Sequence, residues 1–336
     1  MDNKKKFFFI LFFSFLFLII VFLFRISVGN KIINPFNLNF ENNDWIIVNK
    51  LRIPKFFNGF IIGGGLAVSG LVLQIILRNP LAEPFTLGLS SGSAFGAVFI
   101  VFLSILKNNL ILLRYLPIGA IFGSLIVVFF LIIFILYSKY FNTYTIILAG
   151  VIINSFFSSL ITLFISLLSN KSHIAISWLM GYIPSFASIP TYLLYLIIIF
   201  LYIFVLFFWK ELDIFYFPDN FALNLGVNIK EKKLILIVIV SIVTSIIVSQ
   251  SGIIGFVGFI IPHFVRNILV DSNFKRVSFI AFLWGGILLV FCDVMTQFLP
   301  SIFGLNSDIP VGVITALLCS PIFIYLLIKK NEKYIF

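Results

Sequence analysis

The chain has 336 residues, 61% of them hydrophobic and only 10% charged, with a formal net charge of +11. A soluble domain carries about 25% charged residues, and a globular core grows too slowly with length to hide this much apolar surface. The composition excludes a soluble globular protein and makes the bilayer the fitting solvent. The positive charge does not mark a nucleic-acid binder, because Lys and Arg sit in short clusters between apolar runs and form no single patch.

In chain order, Lys4, Lys5 and Lys6 precede an apolar run over 7–24. It is longer than a signal-peptide core and no small-residue cleavage site follows, so it reads as a retained first span. The segment 25–55 is long and polar. A second span over 56–77 carries Gly63, Gly64, Gly65, Ser69 and Gly70, small residues that let helices approach closely in lipid. It runs into a stretch containing Gln74, Asn79, Pro80, Pro84, Gly88 and Gly92. The prolines end the helix, and the glycines permit tight turns. Irregular backbone at membrane depth persists only when covered by protein or lining a cavity. A buried, shaped element at the cytoplasmic side is therefore expected here.

Further spans follow near 91–106, 110–137, 144–168 and 192–209. The connection 210–233 holds Leu212, Ile214, Phe215, Phe217, Phe221, Leu223 and Leu225, too apolar for a disordered loop. It reads as short helices packed against something at the membrane face. The apolar stretch 234–269 is too long for one span and too short for two. Ser249, Gln250, Ser251 and Gly252 break it, giving a full helix over 234–249 and a short one over 255–269 interrupted by Pro262. Gly252, Gly255 and Gly258 recur every third residue and would line one face. His263 and Arg266 fall at the cytoplasmic end, His263 as a helix-end or interface residue and Arg266 as a topology anchor. Spans over 277–299 and 309–328 complete ten. With the N-terminus inside, fifteen of the 23 Lys and Arg then lie on the cytoplasmic side, as membrane topology favours. Fusing the seventh and eighth spans reverses that asymmetry, so ten spans with both termini cytoplasmic is the expected arrangement.

No phosphate loop, no His-Glu-x-x-His motif and no paired carboxylates occur. Cys292 and Cys319 lack metal-ligand spacing to each other or to His173 or His263, and read as small packing residues. Ionisable residues within spans are few. Asp293 reads as a helix-end group reaching polar surroundings, or as a pathway or partner contact, and Asp308 suits a helix N-terminus. The chain reads as a translocator powered from elsewhere. A stand-alone secondary transporter, with an internal ion-coupling site, is the alternative. A membrane-embedded enzyme would need a catalytic set that the sequence does not display.

Several motifs stand in order: Leu51-Arg52-Ile53-Pro54-Lys55, the stretch 74–92, Leu148-Ala149-Gly150, Trp178-Leu179-Met180-Gly181, Leu225-Gly226-Val227, 252–266 and 310–323. Through them, over most of its length, the sequence resembles the FecCD-type permeases of ABC importers for ferric siderophores, haem and vitamin B12. The resemblance implies an all-α polytopic fold of about ten helices, like the vitamin B12 importer permease. That is one transmembrane domain over 1–336 in the bacterial plasma membrane, with no cofactor and no catalysis of its own. It implies two ABC ATPase subunits, a second permease subunit (the same chain or a paralogue) and an extracytoplasmic binding protein. The cargo would be an iron complex, a ferric siderophore before haem or cobalamin.

The resemblance also implies residue roles. The connection over about 210–233 would dock on the ATPase, with Leu225, Gly226 and Val227 at its centre. Arg52 and Lys55 stand for an outward Arg-x-Pro-Arg motif that meets acidic residues of the binding protein. Thr143 and Thr145 would lie at the cytoplasmic gate. Gln74, Asn79, Pro80, Pro84, Gly88, Gly255, Gly258, Pro262, His263 and Arg266 belong to the structural and pathway motifs. Three departures stand out. Lys55 keeps the charge of an Arg but loses its planar fork. Gln297 stands where the family often has an Arg after the Asp of helix nine, and Cys319 where it usually has Gly.

Overall fold

The structure is a computed structural model that describes residues 3–29, 31–36, 43–137, 143–168, 171–185, 189–217, 222, 224–226, 228–269, 273–304 and 308–328. The described residues form helices and no strands. They are α1 (Asn3–Ser27), α2 (Asn43–Ile47), α3 (Ile53–Ile76), α4 (Leu89–Leu106), α5 (Leu116–Tyr137), α6 (Thr143–Leu168), α7 (His173–Leu179), α8 (Ile189–Phe207), α9 (Trp209–Ile214), α10 (Ile229–Ser251), α11 (Val257–Leu269), α12 (Phe274–Ile302) and α13 (Val311–Ile328). A π-helical turn, Val48–Arg52, joins α2 to α3, so Asn43–Ile76 is one continuous helical span. Seven spans are long and apolar enough to cross a membrane, and three shorter apolar helices, Tyr195–Phe207, Val257–Leu269 and Val311–Tyr325, bring the described set to the expected ten.

The centre of the bundle is α3, 89% buried in its most apolar window, whereas α1 is 11% buried and rides on the rim. Small residues explain the centre. A Cβ on Gly63 would overlap the carbonyl of Gly285 in α12, and one on Gly70 would overlap the backbone of Gly258 in α11. Only glycine lets these backbones meet, and such contacts drive helix association where lipid removes the hydrophobic force. On the rim, α1 is fixed by the Trp284 Nε1 hydrogen bond to Ser14 Oγ, 2.8 Å.

The break between the seventh and eighth spans falls where the sequence places it. Asn228 caps α10 by accepting from the Glu231 amide, and Gly252 ends it with φ +67. The single glycine face does not form, however. Gly252 and Gly255 precede α11, and only Gly258 lies within it. Two other details differ from expectation. Leu110–Tyr115 forms a 3-10 turn set apart from α5, held by the Asn109 side chain accepting from the Ile111 amide. A seven-residue helix, α7, follows α6 and was not expected as a helix, although its last two residues open the Trp178-Leu179-Met180-Gly181 motif. The connection after α8 is helical at α9, and its Leu212, Phe215 and Ala222 are buried in this chain's own core. Those side chains are accounted for by the fold itself, whereas Phe217 and Leu225 remain exposed. Phe221 and Leu223 lie outside the described residues.

Candidate translocation path and its cytoplasmic coupling network

One face of α6 is unlike a lipid-facing surface. Ser155, Ser158, Ser159, Thr162 and Ser166 recur at helical spacing and are all exposed. Their hydroxyls are partly satisfied within the helix: Ser159 donates to Ser155 O at 2.9 Å, Thr162 to Ser158 O at 2.9 Å and Ser166 to Leu163 O at 2.8 Å. Each oxygen keeps acceptor capacity for water or a polar cargo. The exposed residues of α5, such as Phe122, Leu125, Ile126 and Phe129, are apolar by contrast. Between α5 and α6 lies a groove of about 800 Å³ lined by Phe130, Phe134, Tyr137, Thr145, Ala149 and Phe156 among others. Thr145 thus opens onto this groove, while the side chain of Thr143 lies outside the described residues. The hydroxyl stripe was missed in the sequence, although its spacing is visible there.

The stretch 74–92 wraps the C-terminal end of α3 and seats α6. Gly88, at φ +77, precedes α4. A Cβ on Gly150 would come within 2.5 Å of Thr86 O, so the Leu148-Ala149-Gly150 motif and this stretch are packing partners. Asn79 Oδ1 accepts from the Leu81 amide at 2.9 Å, shaping the turn around Pro80, and Pro84 is buried. Two predicted residues distant in sequence are brought together. Gln74 Nε2 donates to Phe259 O at 3.1 Å, and Arg266 Nη2 donates to Gln74 Oε1. His263, one turn before Arg266 on α11, is half-buried, and Pro262 is buried within the helix. Gly255 has open space around its Cα.

The connection after α8 is tied to this network. Arg78 Nε donates to Phe215 O at 2.9 Å and Arg78 Nη2 to Phe217 O. Asp213 Oδ1 accepts from the Phe274 amide of α12 at 2.8 Å, and Lys232 pairs with Glu211 at 3.3 Å. Farther along, Leu225 is 56% exposed and Gly226 takes φ +76 with nothing within 4 Å of a Cβ position. Val227 lies outside the described residues.

At the opposite end of the bundle, Arg52 and Lys55 are not presented to the outside. Lys55 Nζ lies 2.9 Å from Asp293 Oδ1, and Arg25 Nε lies 3.0 Å from Asp293 Oδ2. Arg52 donates to Ile26 O and to Lys31 O, pinning the segment after α1. All four side chains are buried. A direct pairing of Lys55 with a docked protein would require Asp293 to release it. Asp293 is thus a partner contact inside the chain, joining α1, α3 and α12. Gln297 donates to Asp308 at 3.3 Å. Cys292 and Cys319 are free and buried, Cys319 against Phe259 and Ile260.

Comparison with known proteins agrees with this architecture. The chain is 30% identical over 89% of its length to the cobalamin import system permease BtuC of Halobacterium salinarum, covering 78% of that protein. It is 29% identical over 88% of its length to the hemin transport system permease HmuU of Yersinia pestis, covering 87% of it. A metal-chelate type ABC transporter solved in an inward-facing conformation superposes with a TM-score of 0.82 at 26% identity, over 98% of this chain and all of the other. The sequence pattern of the FecCD transport family matches residues 11–329. A helical bundle with ten apolar helices, centred on glycine-packed α3 and matched from end to end by this pattern, belongs to the FecCD transport family of membrane permeases.

Proposed function

We propose that the chain is the membrane-spanning subunit of an ATP-driven importer for an iron complex, most simply a ferric siderophore. Relatives named for hemin and cobalamin make these the two other cargoes to test. A separate ABC ATPase pair supplies the energy, a second permease subunit completes the path, and an extracytoplasmic binding protein delivers the cargo to the bacterial plasma membrane. Both termini then lie in the cytoplasm. The exposed hydroxyl face of α6 is one wall of the path, and Thr143 and Thr145 stand at its cytoplasmic mouth.

The observation that carries the reading is the connection between α8 and α10. Leu212, Phe215 and Ala222 anchor it in the core, while Leu225 is exposed and Gly226 has open space around it, a surface a docked ATPase would cover. Val227, the third residue of the Leu225-Gly226-Val227 motif, is part of the proposed docking segment by sequence. Arg52 and Lys55 serve docking indirectly, by ordering the outer segment through Ile26, Lys31 and Asp293. The Asp293 carboxylate, inside α12, is already held by Arg25 and Lys55 and is not available to couple an ion, as a secondary transporter would require of it.

The test is uptake of radiolabelled ferrichrome, haem and cyanocobalamin by cells expressing the chain with its partner subunits, beside a Gly226→Glu variant. Open space at Gly226 means the variant inserts and folds. The left-handed backbone costs it only about 1–2 kcal/mol. The wild type should import one of the three and the variant none. Normal uptake by the variant would remove this connection from the mechanism.

A further inference from the structure

We infer that Arg78 is a positioning residue that couples the segment 215–217 to α11, making α11 the element that carries movement from the cytoplasmic connection to the middle of the bundle. The inference rests on the reading above that this connection receives the ATPase.

The backbone gives the first sign. After α3 ends, the Arg78 amide donates to Ile75 O at 3.2 Å and the Asn79 amide to Gln74 O at 3.1 Å. This is the helix-ending turn whose left-handed position normally holds glycine. Arg78 occupies it at φ +43, at a cost of roughly 1 kcal/mol relative to glycine. A residue that the backbone disfavours is accounted for by its side chain. The guanidinium donates to the carbonyls of Phe215 and Phe217, gripping the segment on both sides of Tyr216.

Tyr216 supplies the second sign. Its hydroxyl is within reach of the charge of the Arg266 guanidinium of α11. Arg266 in turn holds Gln74, which also donates to Phe259 O of the same helix. The segment is therefore held by the end of α3 and by the end of α11 together. The far end of α11 follows a junction of three elements. There the Tyr182 amide donates to Ser251 O at 2.8 Å and the Val311 amide to Gly181 O at 3.2 Å. A displacement of 215–217 that shifts α11 thus reaches the start of α13 and the turn after α7.

The discriminating variant is Arg78→Gly. Glycine suits φ +43 better than arginine, which limits the stability lost with the two hydrogen bonds, and a purely structural role predicts unchanged transport per folded molecule. The clamp predicts a melting temperature no more than a few degrees below wild type, because the relaxed backbone offsets part of the lost hydrogen bonding, continued ATP hydrolysis by the bound ATPase, and uptake of ferrichrome, haem or cyanocobalamin per folded molecule lowered roughly tenfold. Tyr216→Phe, which removes one hydroxyl, should lower uptake by a smaller factor. Wild-type uptake by both variants would overturn the clamp. Uptake that falls only in proportion to the amount of folded protein would overturn the coupling role and leave Arg78 a structural tie. Failure of the wild-type chain to associate with any ATPase would instead overturn the importer reading, and the clamp with it.

Discussion

Asp293 has neighbours that no local pattern in the sequence could supply. Arg25, Lys55 and Asp293 stand far apart in the chain, and their meeting follows from how α1 and α12 pack on α3. Arg52 and Lys55 were legible as a motif, but not as buried groups. Replacing Asp293 by Asn would leave two buried cations without a counter-charge, a loss of about 3–5 kcal/mol. The melting temperature of the purified variant in detergent should fall sharply, whereas an unchanged value would mean water reaches the cluster. Glu83, in the turn between α3 and α4, is a second case. Burial pushes its carboxyl up to about 7 from 4.5, opposed by a hydrogen bond from the Phe256 amide. The folded chain thus holds a proton that the unfolded chain releases. Stability from this group is complete below about pH 4.5 and is lost as the pH rises to about 7. Glu83→Gln should flatten that decline in melting temperature, and an identical pH profile for both proteins would show that the carboxyl is solvated.

Among the elements, the long apolar helices were readable because their lengths match the bilayer. The α10–α11 break was readable from its small polar residues and from the charge asymmetry it preserves. The helix α7 was not, since seven residues carry too little periodicity to stand out. The spacing of the glycines before α11 misled, because three-residue recurrence means a face only where the backbone is already helical. The α6 hydroxyls are the converse, a readable period hidden in an apolar span. If α6 lines an aqueous path, cysteines placed at Ser155, Ser159 and Thr162 will react with a membrane-impermeant thiol reagent. A cysteine at Phe122 on α5 will not. The two native cysteines are buried and give little background. Equal protection at all four positions would return this face to lipid.

For the whole molecule, the proposed path is open on one side. The α6 face and the exposed side of α13 have no covering element among the described residues. A two-fold partner is the simplest way to close them. The family pattern was legible because its motifs mark backbone constraints, such as glycine contacts and proline-ended turns. The cargo was not legible, because the proposed path wall on α6 offers hydroxyls and hydrocarbon, which suit many ligands. The central claim is that this permease is driven by a separate ATPase. It is tested most directly by affinity purification of the tagged chain from membranes in mild detergent, followed by mass spectrometry. The account predicts an ATPase with a phosphate loop together with a second permease subunit. A chain that purifies alone and transports ferrichrome, haem or cyanocobalamin in liposomes without ATP would contradict it.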